Sequence, residues 1–484
     1  MRLHVTVNIR IKGVSNTPSN CTASLVPAAS FLSTCYEQAS VTDVPDAVAK
    51  GPEQLEGSDG GSEADPTPSL WRNRDYMCWW SGTGFSLIGS YMSVMAFPLL
   101  VIFTTGSVFD AGVIAAAGRI GILITTLWGG VLADRFSRRL ILLAVPLAQA
   151  AIMGVVAWSV YAGHVLIPLL AGASLVDGAM VGIHQGATLP ALRRIVPRKQ
   201  FADRAAQEQG LHQVAMLVGS PLAAFLFTVS RWLPFAADAV SFVFASAGAA
   251  LIGRPLGPDR TGHGERLAAG DQAERRHIIA DVREGLSFVR RREFLRYMTA
   301  WIAVTNMVGN SFLLMLIALL KQRGAGPQAI GVINSAVVTG GILGSVLTSL
   351  FLRRLGARRV FVLGGWAYVV ALALAALAPS PWLIALAACV FAFAAVPTAS
   401  VWEAYTTVVV PDRLVGRVGA VSNFAAQSLV WIGMLLVGWL SDQLGASAAV
   451  LCFAVLLIPF AIAGHRAQTL TLLNTPLEHV KELY

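Results

Sequence analysis

The sequence predicts an all-α integral membrane fold of twelve transmembrane helices, arranged as two six-helix pseudo-repeats. Three observations carry this expectation: the hydropathy of the whole chain, the number and length of its apolar windows, and a similarity between its two halves. Of 484 residues, 55% are apolar and 13% charged, with a mean hydropathy of +0.63. Soluble domains carry about 25% charged residues, so a soluble fold is excluded. The net charge of +9 comes from short basic clusters between long apolar runs. No continuous basic face results, and no nucleic-acid partner is expected; the partner is the lipid bilayer.

A hydrocarbon core of about 30 Å needs about 20 apolar residues at 1.5 Å per residue. Windows of that length run over 77–103, 111–133, 140–162, 166–189, 206–229 and 233–252. After a polar segment come 297–320, 329–352, 360–378, 382–409, 416–440 and 446–464. The expected organisation is a tail over 1–70, a six-helix bundle over 71–252, a linker over 253–296, a second bundle over 297–464 and a tail over 465–484.

The first tail is rich in Pro, Gly, Ser and acid from Glu37 to Asp65, a composition that predicts disorder, or else the working chain begins near Trp71. Met1 to Asn20 has no uninterrupted apolar core, so no cleavable signal peptide is expected. Within the linker, Ile278, Val282, Leu286 and Val289 form one helical stripe beside Arg275, Arg283 and Arg290. Two readings stand, a helix lying on an anionic membrane surface and a regulatory or partner-binding helix.

Short cationic loops stay in the cytoplasm. Arg135, Arg138 and Arg139 join helices two and three; Arg193, Arg194, Arg198, Lys199 and Arg204 join four and five. Arg353, Arg354, Arg358 and Arg359 join eight and nine, and Arg413 and Arg417 join ten and eleven. The opposite loops carry only Arg231, Lys321 and Arg323. Both termini are therefore expected in the cytoplasm, with the chain in the plasma membrane.

The halves repeat. Ala357, Arg358 and Arg359 match Ser137, Arg138 and Arg139 at an offset of 220 residues. At an offset of 214, Val410-Pro411 matches Val196-Pro197, Asn423 matches Gln209, Gln427 matches Gln213 and Gly433 matches Gly219. Parallel six-helix repeats place a substrate site between the halves near the bilayer midplane, which is the architecture of alternating access.

Between helices two and three the chain reads Gly130-Val131-Leu132-Ala133-Asp134-Arg135-Phe136-Ser137-Arg138-Arg139. This resembles the signature loop of the major facilitator superfamily, with Ser137 where that pattern has Gly. Further likeness lies in Trp71-Arg72-Asn73-Arg74-Asp75, in Leu189-Pro190, in Val196-Pro197-Arg198 and in Asp281 to Arg290. Together they are similar to the branch holding enterobactin and macrolide exporters. The resemblance implies a major facilitator fold and a secondary exporter of small amphipathic molecules, with a proton as coupling ion and the chain working as a monomer. Uptake by the same fold and a non-transporting sensor are the alternatives.

It also implies a cytoplasmic gate of Gly130, Asp134, Arg135, Arg138 and Arg139. The other reading makes the arginines topology anchors, but Asp134 contributes nothing as an anchor. Gly219-Ser220-Pro221 in helix five is a degraded antiporter motif in which Gly219 permits close approach and Pro221 bending.

Ionisable residues inside apolar windows are costly, so Arg119, Asp177, His184, Asp238 and Glu403 are candidates for the substrate or proton pathway. Asp177 and His184, seven apart, share a helix face and could relay a proton. Asp238, only a few residues into helix six, reads first as a boundary or helix-start charge. Glu403 beside Trp402 suits a cationic or amphipathic ligand. Arg119 would pair with an acid or bind an anionic substrate. Gln209, Gln213, Asn423 and Gln427 either line the pathway or bond helices together, as do Asn306 and Asn310. Gly178, Gly182 and Gly186 read as a packing face.

The five cysteines have no metal or disulfide spacing, and no GxxxxGK[ST], HExxH or GxSxG motif occurs. No metal, cofactor or enzymatic activity is expected.

Overall fold

The computed structural model describes residues 69–135, 137–254, 283–411, 414–466 and 468–475. Twelve helices in it are long and apolar enough to cross a membrane. They are α1 (Arg74–Thr104), α2 (Val108–Arg135), α3 (Arg138–Tyr161), α4 (Ile167–Ile195), α5 (Phe201–Val229) and α6 (Leu233–Ala250), followed by α7 (Glu293–Gln322), α8 (Pro327–Leu355), α9 (Ala357–Leu377) and α10 (Pro381–Val409). Helix α11 consists of two segments, Val415–Ser428 and Val430–Leu444, and α12 is Ala446–Arg466.

Local chemistry sets the ends. The Asn73 side chain accepts the Tyr76 amide at the start of α1, and Ser137 accepts the Leu140 amide at the start of α3. Ser137 thus caps a helix where the signature pattern has Gly, which gives its presence a physical reason. Proline occupies the first turn of α4, α6, α8 and α10, where a missing amide proton costs nothing. Helix α5 begins at Phe201, five residues before its apolar window, because Asp203 sits in its first turn and Arg204 pairs with Glu208 one turn on.

Packing groups the helices by half. In the first, α2 lies against α4, α1 against α5 and α6, and α3 against α4 and α6. In the second, α8 lies against α10, α9 against α10 and α12, and α7 against α11. Between the halves the most extensive contacts are α2 with α11 and α5 with α8, and α7 also touches α1 and α2.

The α2–α4 contact is backbone on backbone. A side chain at Gly121 would stand 2.8 Å from the Ala179 nitrogen, and Gly178 backs on the Gly118 carbonyl. The α8–α10 contact repeats the device, and a side chain at Gly340 would stand 2.7 Å from the Cys389 carbonyl. Without a hydrophobic driving force in lipid, such close approach is what holds helices together. Gly178 and Gly182 therefore pack, as expected. Large apolar side chains left outward, among them Val346, Leu374 and Val155, make the lipid-facing surface.

The expected tail over 1–70 lies outside the described residues up to residue 68, as does the linker over 255–282. A short helix over 283–291 docks on α11: Gly285 sits against the Arg417 carbonyl and Glu284 pairs with Arg417. Val289 is buried in the core while Leu286 is exposed, so the two point apart. After α12, Gln468–Asn474 forms a 3₁₀ turn whose Leu470 and Leu473 are buried, and the Tyr405 hydroxyl donates to the Thr475 carbonyl at 3.0 Å. The rest of the second tail, 476–484, is outside the described residues.

Candidate functional site

Among the described residues, a group of hydrogen bonds joining the two halves stands at one end, the one whose loops are poor in charge. At the α2–α11 seam the Asp442 carboxylate accepts from the Ser107 hydroxyl (2.8 Å), the Val108 amide (2.8 Å) and the Phe109 amide (3.0 Å). An acid from the last turn of α11 thereby caps the first turn of α2, where free amides and the helix dipole favour negative charge.

Below this cap Gly438 backs on Phe109, a Cβ at Gly112 would stand 2.6 Å from the Met434 carbonyl, and Ala116 packs with Val430 and Met434. At the α5–α8 seam Asn334 donates to Ser220 at 2.9 Å, Gln328 to Thr228 at 3.1 Å and Ser335 to the Leu217 carbonyl at 3.3 Å. Lys321 on α7 donates to the Ile102 carbonyl on α1. The Pro221 motif lies in this seal, since a Cβ at Gly331 of α8 would stand 3.3 Å from the Pro221 Cα, while one at Gly219 would stand 2.8 Å from the Tyr91 Cβ on α1.

Farther from the seal, the same helix faces carry polar side chains. Arg119 follows Gly112 by two turns and Ala115 by one, so it continues the stripe of α2 that meets α11. Its ionisable neighbour is Tyr91 on α1. Gln427 precedes Met434 by two turns on the exposed stripe of α11, with Asn423 one turn beyond. Gln213 lies two turns below Ser220 on the α5 face that meets α8, with Gln209 one turn beyond. Asn310 differs, donating to the Asn306 carbonyl at 2.9 Å.

The first half also encloses acids. Asp238 is 1% exposed and receives hydrogen bonds from Ser93 on α1 and from Ser241 at 3.1 Å. It lies wholly within packed helices, which removes the reading of Asp238 as a helix-start charge. Asp177, near enough for the two charges to interact, accepts from Gln149 on α3 at 2.9 Å. His184 contacts Thr188 at 3.3 Å. Both helix-four groups therefore bond elsewhere.

Glu403 is exposed while Trp402 packs on the core, so the two diverge. The second half instead holds an aromatic cavity of about 130 Å³ lined by Trp301, Thr305, Asn306, Tyr368 and Phe391.

Helix α2 runs through Gly130 and Asp134 to Arg135, but the side chains of 127–135 lie outside the described ones. Arg138 opens α3, and Arg139 donates to the Ala250 carbonyl of α6 at 3.1 Å, tying the two helices at the basic end. Asp442 and Asn334 escaped the sequence reading, and Lys321 was read there only as a loop cation. An acid just before a helix end, followed closely by Gly445, was the available signal for the first.

Two six-helix bundles around a polar seam define a transporter of the major facilitator type. The chain matches the family model described as "Transmembrane secretion effector" over residues 68–479, and it belongs to that family. It is 24% identical over 400 residues to the multidrug efflux pump Tap of Mycolicibacterium fortuitum, covering 78% of this chain and 90% of that one. It is likewise 24% identical over 405 residues to macrolide efflux protein A of Streptococcus pyogenes, covering 81% and 95%.

Among solved structures it resembles the nucleoside transporter NupG (TM-score 0.57, 16% identity, 82% and 99% covered). It also resembles a bacterial homologue of ferroportin in an inward-facing state (TM-score 0.56, 18% identity, 81% and 100% covered). The chain is thus a multi-pass membrane transporter, and its family is not one of enzymes.

Proposed function

We propose that this transporter exports small amphipathic molecules by alternating access, working as a monomer and exchanging a proton for its substrate. The observation that carries the reading is the seal at the charge-poor end: among the described residues, bonds between the halves close that end, while Arg119, Gln209, Gln213, Asn423 and Gln427 occupy the same seams farther in. With the basic loops in the cytoplasm, this is a state open inward. Efflux by relatives supports the direction. Rocking of the first bundle against the second then breaks the outer seal and forms an inner one at Asp134 and Arg135. Asp177 and Asp238, acids enclosed in the first half, support a proton-carrying role.

The test is accumulation of fluorescent cationic dyes, macrolides and catecholate siderophores in an efflux-deficient host, with and without a protonophore. Lower accumulation of a compound, lost with the protonophore and impaired by Asp134→Asn, is the expected result. Higher accumulation makes the protein an importer, and export that ignores the protonophore removes proton coupling.

A further inference from the structure

Arg119 is a cation at mid-depth of α2, eleven residues from the start of a 28-residue helix. A guanidinium at that depth is expensive unless something neutralises it. Among the described residues its side chain makes neither a hydrogen bond nor an ion pair, and the neighbour its charge meets is the Tyr91 phenol, which makes no hydrogen bond either. The acids of this half are engaged elsewhere, Asp177 with Gln149 and Asp238 with Ser93 and Ser241.

The seam fixes what lies opposite. Phe109 meets Gly438, Gly112 meets Met434, and Ala116 meets Val430. The two helices run antiparallel here, and one further step along this register pairs Arg119 with Gln427 across the seam, where α2 packs on the Val430–Leu444 segment and no longer closely on Val415–Ser428. Leu429, where the α11 segments join, has φ −90° and ψ −10°, a turn-like conformation at the edge of the helical region. Gln427 is exposed and its carboxamide is not engaged by any described residue. Arg119, Tyr91 and Gln427 thus present unengaged polar groups about 10 Å below the Gly112–Met434 contact, two helical turns in.

We infer that Arg119 and Gln427, one from each half, form an anion subsite that holds a carboxylate or similarly anionic group of an otherwise apolar solute. The inference rests on the transport reading above and names the charge of the substrate. Guanidinium suits this task because it offers several donors in one plane and stays charged. A carboxamide opposite can donate to the same oxygen pair. Because the two residues belong to different halves, a bound anion bridges the seam immediately beneath its seal.

The site can be read without knowing the substrate. In a chain with its five cysteines changed to serine, Gln427→Cys is introduced. The purified protein in nanodiscs is treated with an anionic and a cationic methanethiosulfonate of similar size. Arg119 concentrates the anion, so the anionic-to-cationic rate ratio is expected to fall roughly tenfold on Arg119→Gln and to stay within about twofold on Arg119→Lys. A neutral methanethiosulfonate, expected to react equally in all three proteins, checks that folding is intact.

A ratio that Arg119→Gln leaves unchanged overturns the subsite, and so does a thiol at position 427 that no reagent reaches. Slowing of the anionic reagent confined to anionic nanodiscs assigns the anion to a lipid headgroup and overturns the solute. The ratio requires no transport. A collapsing ratio beside absent efflux therefore sinks only the export reading, and efflux beside an unchanged ratio sinks only the anion subsite.

Discussion

The two halves are alike in how they are packed and unlike in what they enclose. Each joins its second and fourth helices through glycines set on a neighbouring backbone, Gly121 and Gly178 in one and Gly340 and Gly344 in the other. Inside the first half stand Arg119, Asp177, His184 and Asp238. Among the described residues, the middle of the second half's helices carries aromatic rings instead: Phe312 stacks on Phe391 at 4.4 Å, Tyr368 meets Phe391 at 4.9 Å, and Trp301 meets Phe361 at 5.2 Å. A repeat can therefore keep its helix contacts and divide its labour. Ionisable side chains stand on one side of the seam, and aromatic area on the other.

The shared part should be the less forgiving. Gly121→Leu drives a branched side chain into the α4 backbone, where overpacking costs about 3 kcal/mol or more, and folded protein should be largely lost in detergent size-exclusion chromatography. A normal yield would mean the α2–α4 contact is loose and the packing likeness superficial. Asp238→Asn tests the division itself. The amide still accepts from Ser93, so yield should hold while protonophore-sensitive efflux drops at least about tenfold. Unchanged efflux would remove the first half's claim to proton handling.

Asp442→Ala removes three cross-half hydrogen bonds at 2.8 to 3.0 Å, and a lost cap costs about 1–2 kcal/mol. Spin labels at His164→Cys and Pro379→Cys should then report roughly a tenfold rise in a population with longer distances, and an unchanged distribution would show that the α5–α8 seam alone holds the end shut. Smallest of all, Tyr368→Phe breaks a buried bond to Thr398 at 2.9 Å. It should lower thermal stability by about 1 kcal/mol and leave the first half's coupling untouched.

Helix number and the division into halves were legible in the sequence because lipid demands about 20 apolar residues per crossing, whatever the neighbours are. The repeat offset that paired Gln209 with Asn423 and Gln213 with Gln427 was legible for the same reason. The site was only partly so. Arg119 and Gln427 could each be singled out as costly or polar, but their facing depends on the Gly112–Met434 approach, a contact between distant segments. Asp177 and His184 share a helix face in sequence, yet Gln149 on another helix takes the carboxylate. Asp442 was invisible because an acid near a helix end looks like any boundary charge until a second helix start is seen above it.

The aromatic rings at the sealed end set its electrical surroundings. Trp158, Tyr161 and Trp232 form a row with centroids 5.8 and 5.7 Å apart, and Trp158 and Trp382 are each 70% exposed at helix ends on that face. Such rings settle at headgroup depth. Asp442, itself exposed near those ends, then meets water and dissolved ions, whereas the Asn334–Ser220 bond is buried below. One face is thus held by two fastenings of different kind. Raising ionic strength screens the carboxylate at the rim and leaves the neutral bond beneath it unaffected, so the ease with which this end opens should follow the salt on its own side of the membrane.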